Sequence, residues 1–411
     1  MLPLRRLLGL SAAAVSINLR RGISTAASLP AWAMIHPLAR LTKSPEPRAF
    51  LRFAEPPCAS HLIVPAHLAE HPATDPYGDD ICLIYGGLVK ATSGDGLVLL
   101  SFMDIRATAP IVSTHGDTQE RKITGVDLDV PITRFVCNPL SGQMFRLPDI
   151  DGMKKTGWVS YFGILTQSER PDRPTHRYAV AVITEDGDGE DRSFVMRRFL
   201  SQKGEWEKLE GLPSPLPLAR SMNIEREVVA FAGRLWWVDV GWGAVSADPF
   251  SDRPDLRFVE LPRGSVTEPV DEAEARRRRH DDFRFMGVRE GRLRYAEVSQ
   301  EMPFLLSSFA LDDDGSCWTL EHRVVLSRIL PQGNYLRGKD SPRIGFVDPL
   351  DASLMHLTVD NQVFSVDMDG RKVLSCSMRA VGAGLSCLLQ PWLGSSRIPS
   401  PGDHNLSPVL F

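Results

Sequence analysis

After residue 45 the chain alternates between short apolar runs and polar turns. The clearest runs are Gly96–Phe102, Thr175–Thr184, Ser193–Leu200, Val228–Val240, Leu256–Leu261, Arg292–Val298, Phe304–Leu311, Trp318–Leu326, Arg343–Val347 and Gln362–Met368. They are rich in Val, Phe and Trp and partly alternate between apolar and polar, the period-two pattern of strands. Ala232-Gly233, Asp313-Asp314-Gly315 and Asp369-Gly370 supply the residues that tight hairpin turns need. The pattern predicts strands almost throughout, with the longest run, Val228–Val240, bent or bulged. Helical periodicity is scarce. Its best stretch is Glu268–His280, whose acids precede its bases, as a helix dipole favours. A single all-β domain is expected over 45–393, followed by a Ser-, Pro- and Gly-rich flexible tail over 394–411.

Two loose repeats refine this expectation. Asn138-Pro139, Asp248-Pro249 and Asp348-Pro349 each open an Asx-Pro turn that leads through a polar loop into an apolar run. Gly204-Glu-Trp206 resembles Gly315-Ser-Cys-Trp318, with the two tryptophans 112 residues apart, or two steps of 56. Four-stranded propeller blades repeat at about 40–50 residues, and a closed ring of them leaves only short edges. The expected fold is all-β, a propeller-like array of short four-stranded blades. About six to eight blades would fit that unit, and a pair of β-sandwiches is the alternative.

Charge adds an address. The 47 basic and 51 acidic residues nearly cancel, but no acid precedes Glu46. Residues 1–28 are rich in Arg, Ser, Ala and Leu, the composition of a transit peptide. Arg21-Gly22-Ile23-Ser24 resembles a mitochondrial processing site, so a mitochondrial location is expected, with chloroplast, cytoplasm or nucleus as alternatives. The apolar stretch Leu7–Ile17 is too short to span a bilayer, and Arg20 and Arg21 stand where a secretory cleavage site would need small residues. Without Arg5, Arg6, Arg20 and Arg21 the formal charge falls from −4 to about −8, which disfavours broad nucleic-acid binding. The basic run Arg276–His280 is flanked by acids and reads as a solvated face. Six cysteines, none in C-x-x-C, lie mostly in apolar runs and are expected as buried free thiols.

Candidate chemistry is thin. His67-Leu-Ala-Glu70-His71 matches an inverted zinc-peptidase motif. Pro65 and Pro72 bracket it too closely for the helix such ligands need, so it reads as an exposed loop. Gly384-Leu-Ser386-Cys387-Leu lacks the second glycine of a nucleophile elbow. Gly86-Gly87 and Gly94-Asp95-Gly96 read as ordinary turn residues, and no phosphate-cradling loop is present. Asp186–Asp191 and Asp312–Gly315 lack calcium-loop spacing. No catalytic residue, cofactor or metal ligand is assigned. A hydrolase or metal-dependent enzyme with dispersed ligands would leave no local motif and stands as an alternative, beside a cytosolic or nuclear adaptor.

One segment is more specific. Gly233-Arg-Leu-Trp236-Trp237-Val-Asp239-Val-Gly241-Trp242 continues through Asp248-Pro249-Phe250 to Leu261-Pro262. It resembles the core motif of a plant family named domain of unknown function 1618. Asp95–Phe102 and Phe135–Gly142 resemble the family's upstream part, and Gly287–Tyr295 with the Trp318 segment its downstream part. The resemblance covers roughly residues 45–390 and is strongest over 228–345. That family is similar to the kelch-like domains that follow F-boxes in plant proteins, a likeness carried here by Asn138-Pro-Leu-Ser-Gly142 and Arg146-Leu-Pro148. A transit-like segment stands here where an F-box-like helical module would precede. The resemblance implies no reaction. It implies a non-enzymatic scaffold that binds an unknown protein partner through loops at one propeller face, with no membrane span. Trp236, Trp237, Asp239, Trp242, Asp248, Pro249, Phe250, Leu261 and Pro262 read as structural, an aromatic facing a ligand being the alternative. On one strand Trp236 and Trp237 point to opposite sides, one into a blade and the other between blades. Gly241 and Gly243 mark a bend, and Asp248 can cap its own turn.

Overall fold

A computed structural model describes residues 30–69, 81–115, 118–127, 132–150, 161–170, 173–187, 191–217, 220–224, 228–268, 283–331, 341–359, 362–377 and 384–401. The transit-like segment 1–28 lies outside these residues, as do Arg276–His280 and nearly all of the expected helix Glu268–His280. His67 is exposed on a single 3-10 turn, Ala66–Ala69, while Glu70 and His71 lie outside the described residues. Among the described residues, no helix is long and apolar enough to cross a membrane.

The chain is built from short strands, paired antiparallel except where Leu38–Thr42 runs parallel to His61–Pro65. Sheet I has eight, running from Met144–Arg146 through Ile132–Cys137, Val98–Thr108, Ile81–Thr92, Leu38–Thr42 and His61–Pro65 to Phe50–Arg52, with Gly125–Asp127 paired beside Val98–Thr108. Four meanders of four strands follow. Sheet II is Gly163–Gln167, Arg177–Asp186, Ser193–Leu200 and Trp206–Pro213. Sheet III is Val229–Phe231, Arg234–Asp239, Gly243–Ala247 and Arg257–Glu260. Sheet IV is Arg284–Arg289, Arg292–Val298, Leu305–Leu311 and Trp318–Val325. Sheet V is Arg343–Val347, Leu354–Val359, Gln362–Asp367 and Lys372–Ser377. Finally, Leu385–Leu388 turns back to pair antiparallel with Trp32–Ile35, upstream of residue 45.

Packing closes these sheets into a propeller-like ring. Successive residues of a strand point to opposite faces, and here both faces meet a neighbour. Trp237 packs with Leu165, Ile183 and Phe194 of sheet II, while Trp236 packs with Met286, Tyr295 and Phe309 of sheet IV. Sheets IV and V share a core through Val298, Leu306, Leu357 and Phe364. Phe346 and Val363 of sheet V meet Trp32 and Met34. The other face of that first strand, Ala33 and Ile35, joins the core that sheet I shares with Phe162, Ile164 and Phe199 of sheet II. Both tryptophans therefore lie between sheets. Two buried faces also explain why many strands read as continuous apolar runs.

The run Val228–Val240 is broken where the sequence placed a turn. Ala232 and Gly233 both have positive φ, 49° and 71°, in the left-handed pair of a tight hairpin. The repeat units are longer than about 40–50 residues, since inner strands begin at Gly163, Val229, Arg284 and Arg343. Trp206 and Trp318 occupy matching places two sheets apart. Each opens an outer strand and donates its Nε1–H to the preceding sheet's outer end, Trp206 to Pro148 O at 2.7 Å and Trp318 to Glu260 O at 2.7 Å. Asn138 and Asp248 cap third-to-fourth-strand turns, whereas Asp348 caps a first-to-second turn. Cys137 and Cys387 are buried, but Cys317, just before an outer strand, and Cys376, on one, are exposed, contrary to the expectation of buried thiols. The tail packs further than its composition suggested. Asn138 Nδ2 donates to Ser396 O at 3.3 Å, and Ile398, 2% exposed, donates its N–H to Gln143 Oε1 at 2.9 Å.

Candidate functional site

In an antiparallel meander successive turns fall at alternate ends. In sheet III the turn Ala232-Gly233 and the loop from Asp248 to Leu256 therefore share one end, and Val240–Trp242 occupies the other. The motif residues divide between these ends, separated by the five-residue strand Gly243–Ala247, or roughly 17 Å.

At the Trp242 end the residues form a closed knot. Asp239, 3% exposed, accepts from Gly241 N at 2.8 Å, from Asn223 N at 3.0 Å and from Arg220 Nη2 at 3.3 Å. The Arg220 guanidinium lies 4.9 Å over the Trp242 ring, and its Nη1 donates to Thr267 O at 2.6 Å. Trp242 leans on Phe258 at 4.8 Å, and Leu261 donates its N–H to Trp242 O at 2.8 Å. Pro262 O accepts from Ser265 N at 2.9 Å. These contacts tie the flanking loops to the sheet and consume the polar groups, so this end serves packing.

The other end is open. Asp248 Oδ1 accepts from Phe250 N at 2.8 Å, which fixes the Asx-Pro turn. Arg198 of sheet II clamps the turn from the side, donating to Pro249 O at 2.8 Å and to Ser251 O, while Glu207 Oε2 accepts from it at 2.8 Å. Phe250 is thus held against sheet II with the Arg177 guanidinium 4.6 Å over its ring. A cleft of about 360 Å³ opens there, walled by Leu165, Thr166 and Gln167 on one side and by Arg234, Asp248, Phe250 and Arg257 on the other. Its volume lies at the lower end of the range for ligand pockets, about 300–1,000 Å³.

The electrostatics favour an incoming anion. Arg234 is fixed by Ser246, through Oγ at 3.1 Å and O at 2.9 Å. Burial depresses its pKa, Arg257 adds to the effect, and Asp255 and Asp248 oppose it. Arg257 pairs with Asp255 at 2.9 Å, but both side chains are about two-thirds exposed. Such a pair contributes about 0–1 kcal/mol, so Arg257 can exchange Asp255 for another carboxylate at little cost. Guanidinium groups beside an aromatic wall suit recognition of a carboxylate-bearing surface. Among the described residues, no group of three or more His, Cys, Asp and Glu side chains could hold a metal ion.

Of the motif residues, Asp248 and Phe250 line the cleft, with Pro249 between them in the clamped turn, while Trp236, Trp237, Asp239, Trp242, Leu261 and Pro262 lie away from it. Sequence reasoning missed Arg177, Arg198, Arg234 and Arg257. They come from separate strands, and a lone arginine in a β-rich run carries no local signal.

No curated protein matches this chain. Among solved structures, that of apo AztD from Citrobacter koseri is similar at 9% identity and a TM-score of 0.31, covering 74% of this chain and 89% of that one. So slight a likeness bears on neither fold detail nor function. Residues 237–360, which include the Asx-Pro turn with Asp248, Phe250 and Arg257 of the cleft wall, match the family model described as Protein of unknown function (DUF1618), and the chain accordingly carries a segment of that family.

Proposed function

We propose that this protein is a non-enzymatic interaction scaffold whose cleft between sheets II and III receives an acidic segment of a partner protein. The observation that carries the reading is the cleft itself. A rigid aromatic wall, Phe250, stands between arginines of which one, Arg257, is only loosely paired. Interfaces draw most of their energy from a few such aromatic and arginine anchors. Arg198 and Asp248 hold the turn before any partner arrives, which lowers the ordering cost of association. This matches the use of face loops that the kelch-like resemblance implies. In the same proposal residues 1–28 direct the chain to the mitochondrion and are removed near Ser24.

The test is co-purification of full-length protein tagged at its C-terminus, followed by mass spectrometry. The expected result is a dominant organellar partner with an acidic surface segment, and protein peptides that begin near Ser24. Phe250→Ala should weaken capture at least about 30-fold, as loss of an anchor worth about 2 kcal/mol does. Arg257→Glu should weaken it further by adding repulsion. A partner retained by both variants, or none captured by the parent chain, would defeat the cleft reading. Peptides beginning at Met1 would defeat the address.

A further inference from the structure

Three strands at one edge of sheet I, Leu38–Thr42, His61–Pro65 and Phe50–Arg52, combine cations with apolar side chains. Arg40 and Phe50 both pair with Ile63, and Arg52 pairs with His61. Period-two alternation then puts Leu38, Arg40, His61, Ile63, Phe50 and Arg52 on one face. The opposite face carries Ala39, Leu62 and Val64, which belong to the core, with Leu41 and Leu51 packed against it. On the outer face Leu38 is 49% exposed and Phe50 41%, and Arg40 and Arg52 are exposed beside them.

The cations touch one another and are not balanced by acids. Arg40 Nη2 lies 3.3 Å from His61 Nε2, and the His36 ring stands 4.8 Å from the His61 ring. A guanidinium only donates, so His61 Nε2 accepts and the neutral ring carries its proton on Nδ1. Leu38 N donates to His36 Nδ1 at 3.0 Å, which fixes the second ring. Among the described residues the Arg52 guanidinium has no hydrogen-bond or ion-pair partner, and no carboxylate pairs with Arg40, His36 or His61. Burial lowers the His61 pKa, and the charges of Arg40, His36 and Arg52 lower it further. The chain as a whole is formally −4, so the positive field belongs to this face.

The mixture of side chains selects the partner. A soluble anionic polymer would engage the cations and leave Leu38 and Phe50 in water. A bilayer interface uses both kinds of group: apolar side chains enter the acyl boundary, while guanidinium groups stay at the headgroups. Arginine also grips two phosphate oxygens at once. We infer that this face of sheet I docks on an anionic lipid surface, with Leu38 and Phe50 inserted and Arg40 and Arg52 on the lipid phosphates. The site is separate from the cleft between sheets II and III and does not depend on it.

Flotation of the purified chain with vesicles tests this, comparing phosphatidylcholine alone with phosphatidylcholine mixed with phosphatidylserine. The mixed vesicles should carry the chain and the neutral ones far less of it, and added sodium chloride should release it by screening. Arg40→Gln with Arg52→Gln should weaken binding roughly 25-fold, about fivefold for each cation removed from an anionic surface. Arg323→Gln with Arg371→Gln removes the same charge from exposed positions in sheets IV and V and should leave binding nearly unchanged. Leu38→Ser with Phe50→Ser should weaken it at least about tenfold, because the inserted apolar area is lost. Equal flotation with the two vesicles, or equal loss in the two arginine pairs, overturns the site. Binding that survives Leu38→Ser with Phe50→Ser also overturns it, since a purely electrostatic face would serve RNA or an acidic protein instead. Should a variant melt well below the parent, the parent chain's response to phosphatidylserine and salt decides.

Discussion

His356 shows how the ring treats an ionisable side chain. It sits at mid-strand in sheet V, 8% exposed and stacked on Phe346 at 3.9 Å, with Ser365 Oγ 3.0 Å from its Nδ1. Burial, then the charge of Arg289, lowers its pKa from 6.5 to about 4, against the opposing pull of Asp351. The folded chain therefore keeps this imidazole neutral while the unfolded chain binds a proton below about pH 6.5. Its folded pKa lies below the unfolded value, so the associated stability is whole above pH 6.5 and is lost as pH falls toward 4. The loss totals about 3 kcal/mol. Urea midpoints measured from pH 7 to pH 4.5 should fall for the parent chain and fall less steeply for His356→Leu, even though that variant starts lower. Equal slopes would show that the imidazole is not held neutral. Nothing in Leu-Met-His356-Leu announces this. The run reads as an ordinary strand, and only the burial and the Arg289 charge that the fold brings to it make proton binding costly.

At the scale of elements, legibility in the sequence depended on distance. Ser193–Leu200, Arg292–Val298 and Arg343–Val347 run to the very residues that alternation and turn chemistry delimit. Asp248 was legible as a cap because an Asx-Pro turn is closed by its own side chain. Its equivalence to Asp348 was not real, because a turn's chemistry says nothing about which strands it joins. Trp32–Ile35 went unread, since all four residues are buried and their partner strand lies at the far end of the chain. The cleft was half legible: its Asx-Pro wall stood out, while its arginines meet only through the ring. The tryptophan spacing was the best long-range clue, because Trp206 and Trp318 repeat one inter-sheet bond. Trp206→Phe and Trp318→Phe should each cost about 1–2 kcal/mol, the value of one hydrogen bond plus some buried area. A whole sheet separates them, so the double variant should cost the sum within about 0.5 kcal/mol. Denaturant titration of all three variants checks this, and strong non-additivity would contradict sheets that behave as separate units.

For the whole molecule the decisive contact is the seam where Leu385–Leu388 meets Trp32–Ile35. Thr92 Oγ1 donates to Ser386 O at 2.8 Å and Ser386 Oγ donates to Val347 O at 3.1 Å, so sheets I and V are both fastened to it. Gly96 lies against the seam with φ of +102°, and a Cβ there would stand 2.2 Å from Leu388 O. Gly94, two residues earlier in the same turn, faces open space. Gly94→Ala should change stability by less than about 0.5 kcal/mol, whereas Gly96→Ala should cost about 1–3 kcal/mol or more through backbone strain and displacement of the seam. Calorimetric Tm values for the pair read the difference, and equal values would place the strain elsewhere. The order in which a ribosome delivers the strands adds a further constraint. Among the described residues Leu385–Leu388 is the last strand to emerge, long after its partner. Until it does, Trp32–Ile35 lacks its antiparallel partner and presents an unpaired edge. A nascent chain with such edges is a substrate for holding chaperones. Closure of the ring therefore waits on this strand, whatever the other sheets have formed before it.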